Sequence, residues 1–248
     1  MFQAAGWGAF AGSSIFIGAL MALFLKIPTR VIGWIMSFGT GVLIGAASFD
    51  LLGDSVESGG LLPSALGFLG GALLFTVSEY FISKSGGKHR KRSGAKDSSQ
   101  NQDQNQSGIG IFIGTLIDAI PESIIIGVSL LQGQGVSVLM VAAVLISNFP
   151  EGLSSTVGLR KAGHSRKTVF ILWIIVTVIA AVSSLLGFAL FASASPALLA
   201  VISSFAAGGI IAMVAATMMP EAFEEGGPIV GMISSLGLLV SLILSQLE

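Results

Sequence analysis

Residues 108–131 read GIGIFIGTLIDAIPESIIIGVSLL, and residues 136–159 read VSVLMVAAVLISNFPEGLSSTVGL. Each stretch is long enough to cross a bilayer, because about 20 apolar residues span the hydrocarbon core. Each also carries a proline followed at once by a glutamate near its middle, at Glu122 and at Glu151. The two stretches therefore predict neighbouring membrane helices with acidic side chains at mid-depth.

Polar side chains that can hold a cation lie near both prolines. Asp118 precedes Glu122 by one helical turn, so the two carboxylates share a helix face. Ser147 and Asn148 precede Glu151 by four and three residues and share its face. A carboxylate at bilayer mid-depth costs roughly 2.5–3.5 kcal/mol, so three on adjacent segments are unexpected from packing alone. We predict that this set binds a cation in transit. Its members are Asp118, Glu122, Ser147, Asn148 and Glu151.

The prolines are expected to add backbone ligands. Pro121 cannot donate a hydrogen bond to the carbonyl of Ile117, and Pro150 cannot donate to that of Ile146. A kink is expected at each proline, with a carbonyl left near the carboxylates. Such freed backbone is tolerated at membrane depth where it lines a cavity.

Composition assigns the chain to the membrane proteins. Of its 248 residues 53% are hydrophobic and only 10% are charged, which excludes an ordinary soluble domain. The formal net charge of −1 gives no indication of nucleic-acid binding. The absence of cysteine excludes disulfides and thiolate metal sites.

Eight apolar segments predict an all-α integral membrane protein with eight transmembrane helices. Their approximate ranges are 6–25, 31–52, 61–83, 108–131, 136–159, 168–192, 197–221 and 228–247. Unbroken apolar runs argue against the alternating strands of a membrane barrel. We treat residues 1–248 as a single transmembrane domain. Residues 84–107 are basic and then rich in Gln and Asn, which predicts a disordered cytoplasmic loop.

The basic residues predict the orientation. If the N-terminus is outside, all twelve Lys and Arg residues fall on the cytoplasmic side, as the positive-inside rule requires. Both termini are then outside the cytoplasm, and the number of helices is even.

An internal repeat is visible in the sequence. Residues 38–60, FGTGVLIGAASFDLLGDSVESGG, align without a gap with residues 205–227, FAAGGIIAMVAATMMPEAFEEGG, at an offset of 167. Helices 1–3 therefore resemble helices 6–8. Because helices 4 and 5 intervene, the second copy enters the membrane from the opposite side, which gives a 3+2+3 inverted repeat. Chance similarity between Gly/Ala-rich helices is the alternative.

The repeat also singles out acidic residues away from the central set. It aligns Asp54 with Glu221, which the predicted orientation places near the outer and inner faces. Asp50 lies one turn deeper than Asp54. These three residues are a candidate access path for the cation, and a solvated helix end is the alternative explanation for Asp54.

Two motifs resemble the paired signatures of the ZIP (Zrt/Irt-like) metal transporters: DAIPES at 118–123 and NFPEG at 148–152. The sequence MPE at 219–221 also resembles that family's Pro-Glu ending on helix 7. The resemblance covers nearly the whole chain. It implies uptake of divalent metals, most often zinc or iron, from outside the cell into the cytoplasm. It further implies a metal site shared by helices 4 and 5, a homodimer in the cell membrane, and an elevator-like motion of one helix group against another.

The chain departs from the family pattern at the ligands. Asp118 stands where the family usually has histidine, and Ala119 where asparagine commonly follows. On helix 7, Ala216 and Thr217 replace a frequent His-Glu pair. The resulting site is all oxygen, which suits Mn²⁺ and other hard ions, whereas imidazole suits zinc. Zinc accepts carboxylates as well, so the resemblance keeps zinc first, with iron or manganese as alternatives.

Two other functions stay open. A metal-binding sensor that does not transport is motivated by the missing histidine. An intramembrane acid-based hydrolase would use the paired carboxylates for acid–base catalysis, but the only histidines, His89 and His164, fall in predicted loops. The chain has no ATP-binding loop. We therefore expect a transporter rather than an enzyme.

Overall fold

A computed structural model describes residues 1–82, 104–131 and 135–247. Within these ranges the backbone is helical and contains no strand, which confirms the all-α class. The helices, named α1 to α8 in chain order, are Phe2–Phe24, Thr29–Gly59, Leu61–Ile82, Gln104–Ser129, Val138–Lys161, Arg166–Leu190, Pro196–Gly226 and Val230–Ser245.

Seven of the described helices are long and apolar enough to cross a membrane. The remaining one, α8, is apolar but has only 16 residues, fewer than the roughly 20 that a spanning helix needs. The chain is therefore a multi-pass membrane protein, whereas the eighth crossing stays a prediction.

Helix α4 begins earlier than the sequence analysis predicts. The predicted loop reaches residue 107, but α4 already begins at Gln104. Glutamine is polar but forms helices well. A polar stretch can therefore belong to a helix, and here it precedes the apolar part, Gly110–Ser129. Residues 84–103 of the predicted loop lie outside the described residues.

The two predicted kinks do not interrupt their helices. Pro121 lies inside α4 and Pro150 inside α5, and both helices continue on either side. A proline removes one backbone hydrogen bond, and membrane helices tolerate this loss where neighbouring helices surround them.

Four pairs of helices pack backbone against backbone at glycine. In the pair α1 and α5, a Cβ added to Gly18 would collide with the carbonyl oxygen of Phe149, and one added to Gly152 would collide with that of Ile15. Each glycine thus faces a carbonyl on the other helix, and that carbonyl belongs to the residue three positions before the other helix's glycine. The same arrangement recurs at Gly41 and Gly237 in α2 and α8, at Gly71 and Gly208 in α3 and α7, and at Gly127 and Gly187 in α4 and α6.

Contacts along α8 show its direction. Ser37 Oγ in α2 donates a hydrogen bond to the Val230 carbonyl at 2.6 Å. Further along α2, Gly41 faces Ser234 and the next turn faces Ser241. Because the residue numbers rise together on both helices, α8 runs parallel to α2.

The closest contacts divide the helices into two groups. Helices α1, α4, α5 and α6 form the first group, and α2, α3, α7 and α8 form the second. All four reciprocal glycine contacts lie within a group. Between the groups, the main contacts join α2 to α5 and α4 to α7.

Several structural features recur at the offset of 167 residues. A π-helical segment occupies Ala46–Gly53 in α2, and another occupies Val214–Met218 in α7. Gly60 and Gly227, which follow these two helices, both have positive φ, at 83° and 77°. Glycine adopts this conformation at little cost and commonly ends a helix.

Replacing Gly18 with alanine should destabilise the protein, because the added Cβ would push α1 away from the α5 backbone. Overpacking of this kind typically costs about 1–3 kcal/mol. The purified protein in detergent should therefore melt at a lower temperature. Gly6→Ala is the matched control in the same helix, since nothing lies within 4 Å of a Cβ added there. Equal melting temperatures for Gly18→Ala and the unmodified protein would contradict the assigned packing.

Candidate metal site

The two helices that carry the predicted ligands lie side by side. Thr115 Oγ1 on α4 and Ser155 Oγ on α5 are 3.5 Å apart. A Cβ added to Gly158 would meet the Ile111 side chain. Residue numbers therefore fall on α4 as they rise on α5, so the two helices are antiparallel.

This register places the two acidic motifs at the same depth. Both helices rise by about 1.5 Å per residue. Counting in opposite directions from the contact between Thr115 and Ser155, Asp118 comes level with Gly152, beside Glu151, and Glu122 comes level with Asn148. The candidate ligands thus occupy two adjoining levels, one helical turn apart.

All the predicted ligands are buried. None exposes more than 3% of its surface, so none faces the lipid. They are Asp118, Glu122, Ser147, Asn148 and Glu151. Acidic groups in this position are costly in a membrane unless they meet compensating partners, which makes the buried set a candidate for cation binding.

Helix α2 covers one side of the α5 ligands. A Cβ added to Gly39 would come 3.0 Å from Ser147 Cα. The Ser147 hydroxyl donates a hydrogen bond to the Val144 carbonyl at 3.2 Å and keeps its oxygen as an acceptor. The second helix group therefore borders the candidate site directly.

The carboxylates do not form one tight cluster in this conformation. Across residues 1–82, 104–131 and 135–247, no three His, Asp or Glu side chains lie together closely enough to hold a metal ion. An ion at these levels would therefore also need the amide oxygen of Asn148, the Ser147 hydroxyl or backbone carbonyls. Oxygen donors of these kinds suit hard divalent cations.

A cavity of about 530 Å³ reaches the α4 ligands. Asp118 and Glu122 line it, and the rest of its wall is mainly apolar and comes from α3, α4, α6 and α7, including Phe75 and Phe205. Because α3 and α7 belong to the second group, the cavity lies where the two groups meet.

The three predicted access-path residues have different surroundings. Asp54 is exposed near the end of α2, the position expected of a solvated helix end. Asp50 is half-buried, and its Oδ2 accepts a hydrogen bond from Ser137 Oγ at 2.6 Å. Glu221 is buried, and its Oε1 accepts one from Ser154 Oγ at 2.5 Å.

Both of these hydrogen bonds join the two helix groups. Asp50 and Glu221 belong to the second group, whereas Ser137 caps the start of α5 and Ser154 lies within it. The two serines are about 25 Å apart along the helix axis. Carboxylates of the second group therefore hold α5 near its start and beyond its middle.

The sequence analysis missed both serines. Ser137 precedes the apolar run of α5, and its side chain accepts a hydrogen bond from the Met140 N–H at 2.9 Å, a role that helix-start patterns can reveal. Ser154 follows Glu151 by one turn on the same face. No local signal connects it to Glu221, which lies 67 residues away.

Comparison with known proteins agrees with the resemblance. Residues 81–244, which include α4 and α5, match the family model described as ZIP Zinc transporter. The chain is 28% identical over 215 residues to the putative zinc transporter At3g08650 of Arabidopsis thaliana, covering 86% of this chain and 33% of that protein. It is 26% identical over 150 residues to the zinc transporter ZTP29 of the same plant, covering 56% of this chain and 54% of that protein. The chain thus spans about a third of one relative and half of the other, and the match over most of its length shows that it belongs to the ZIP zinc transporter family.

Proposed function

We propose that this protein moves a divalent metal cation across the membrane through the site on α4 and α5. The observation that carries the proposal is the burial of three carboxylates, an amide and a hydroxyl at adjoining levels of two antiparallel membrane helices. A bound cation offsets the cost of acidic groups at that depth. Family membership and the names of both Arabidopsis relatives support metal transport.

Zinc is the proposed substrate, with manganese or iron as alternatives. The names of the relatives favour zinc. Zinc accepts carboxylate oxygen, but an all-oxygen site suits harder ions equally well. The described histidine, His164, lies in the joint between α5 and α6 and not at the site.

We propose that the chain crosses the membrane eight times in a 3+2+3 inverted repeat within a single domain, residues 1–248. Successive membrane crossings alternate in direction, so the second and the eighth must run the same way. The parallel course of α2 and α8 therefore supports an eighth crossing. The paired π-helical segments and positive-φ glycines support the repeat. The repeat relates α1, α2 and α3 to α6, α7 and α8 and exchanges α4 with α5. Applied to the glycine contacts, it turns the pair α1 and α5 into α6 and α4, and the pair α2 and α8 into α7 and α3, and all four pairs are present.

We propose that both termini face the outside of the cell membrane and that the cation moves inward. The one-sided placement of Lys and Arg supports this orientation. The membrane potential favours inward movement by about 2.3 kcal/mol per charge per 100 mV. We also propose that two copies associate, as the family resemblance implies.

Transport requires the site to open alternately to each side, and the two helix groups give a way to do so. The four reciprocal glycine contacts lie within the groups, which supports motion of each group as a unit. The hydrogen bonds of Asp50 and Glu221 lie between the groups. We propose that the first group, which carries all the metal ligands, moves against the second while these two hydrogen bonds break and re-form.

Glu122→Gln and Glu151→Gln should each lower zinc flux into proteoliposomes by at least about tenfold, a change that corresponds to about 1.4 kcal/mol. The amide keeps the shape of the side chain but removes the charge that attracts the cation. Glu57→Gln, at an exposed acidic position near the end of α2, is the matched control and should transport normally.

Unchanged flux in both site variants would reject the proposed site. If the unmodified protein binds zinc in equilibrium dialysis but shows no flux, the sensor alternative replaces transport.

Asp118→His should shift the preference of the site toward zinc over manganese, because imidazole nitrogen suits zinc better than manganese. The measurement is flux of each metal in competition, expressed as a ratio. Asp118→Asn, which removes the charge without adding a nitrogen ligand of this kind, is the control. A ratio equal to that of the unmodified protein would show that Asp118 does not contact the transported ion.

Single cysteines can report the orientation, because the chain has none of its own. Ser58→Cys and Thr29→Cys lie near opposite ends of α2, and both positions are exposed. A membrane-impermeant maleimide added to intact cells should label Ser58→Cys and should label Thr29→Cys only after permeabilisation. The reverse pattern would place the termini in the cytoplasm.

A further inference from the structure

A pocket of about 340 Å³ lies at one end of the first helix group, away from the candidate metal site. Its wall combines three apolar and three basic residues, and none of the described residues that line it is acidic. They are Ala22, Leu23, Val157, Arg160, Lys161 and Arg166.

A short joint brings the basic residues together. Helix α5 ends at Lys161, and α6 begins at Arg166 after a turn in which Gly163 has a positive φ of 86°. The Arg160 guanidinium donates a hydrogen bond from Nη1 to the His164 carbonyl at 2.5 Å. This bond holds Arg160 against the joint, so that charges from both helices line one pocket.

Helix-end electrostatics explains only part of this arrangement. Arg160 and Lys161 lie in the last turn of α5, where the helix dipole favours positive charge. Arg166 is the first residue of α6, where the dipole disfavours it. The arginines Arg160 and Arg166 line the same pocket and repel each other, and an anion in the pocket would relieve both effects.

The position of the pocket indicates what kind of anion fits. It lies where α1 and α5 end and α6 begins, so it is at the edge of the apolar spans. Ala22, Leu23 and Val157 give it an apolar wall beneath the charges, and Phe24 nearby is 73% exposed. Basic pockets between membrane helices commonly bind anionic lipid headgroups, and a phospholipid has both the anionic head and the apolar chain that this pocket matches.

We propose that this pocket binds the phosphate headgroup of an anionic phospholipid. The phosphate contacts Arg160 and Arg166, and the first part of an acyl chain lies along the apolar wall. Because Arg160 and Lys161 end the helix that also carries Glu151, the bound lipid anchors α5 at the membrane surface. The inference concerns lipid binding and does not depend on which metal is transported.

The test uses the full chain, purified in a neutral detergent. Phosphatidylglycerol, phosphatidylcholine and inorganic phosphate are added separately, and the melting temperature is measured. We expect phosphatidylglycerol alone to raise the melting temperature. In the double variant Arg160→Gln/Arg166→Gln the rise should fall to less than about half. Lys167→Gln, an exposed neighbour outside the pocket wall, is the matched control and should keep the full rise.

Native mass spectrometry supplies a second readout, the number of phosphatidylglycerol molecules retained, which should drop in the double variant and not in Lys167→Gln. If the double variant does not fold, Arg166→Gln replaces it, because that change removes no favourable helix-end charge. An equal rise in the pocket variant and the unmodified protein would overturn the proposal. So would an equal loss in Lys167→Gln, or a rise with inorganic phosphate as large as that with the lipid.

Discussion

Close contact between helix backbones at glycine is the constraint on which the rest of the structure depends. Lipid tails are as apolar as the helices, so helices associate in a membrane through packing and hydrogen bonds. Two glycines in each of four helix pairs allow this packing by removing the side chain that would meet a carbonyl oxygen. Each of these four reciprocal contacts lies within one helix group, so they stabilise the groups internally and do not join one group to the other.

A different kind of contact joins the groups to each other. Serine hydroxyls of α5 donate to carboxylates of the second group, at Asp50 and at Glu221. Helix α5 takes part in both hydrogen bonds and also carries Ser147, Asn148 and Glu151. Three of the five candidate ligands therefore lie on the helix that the second group holds most directly.

The sequence predicted the parts of this arrangement that depend on local spacing. Apolar length identified the helices, and the one-turn separation of Asp118 and Glu122 placed both on a buried face. The four helix pairs that contact at glycine could not be predicted, because 33 glycines are spread along the chain and only the fold shows which of them face a carbonyl. The hydrogen bond from Ser154 to Glu221 was hidden for a similar reason, since residues 67 positions apart carry no shared pattern. The start of α4 at Gln104 was missed because amide side chains are common in both loops and helix ends.

The π-helical segments of α2 and α7 contain more residues per turn than the α-helix around them. A π turn bonds each residue to the fifth along the chain, so it holds one residue more than an α turn. Conversion of one such turn to α-helix would rotate the rest of the helix by about 100° and lengthen it by about 1.5 Å. Asp50 lies inside the α2 segment and Glu221 shortly after the α7 segment. Rewinding a single turn would therefore swing either carboxylate away from its serine while the helix stays continuous.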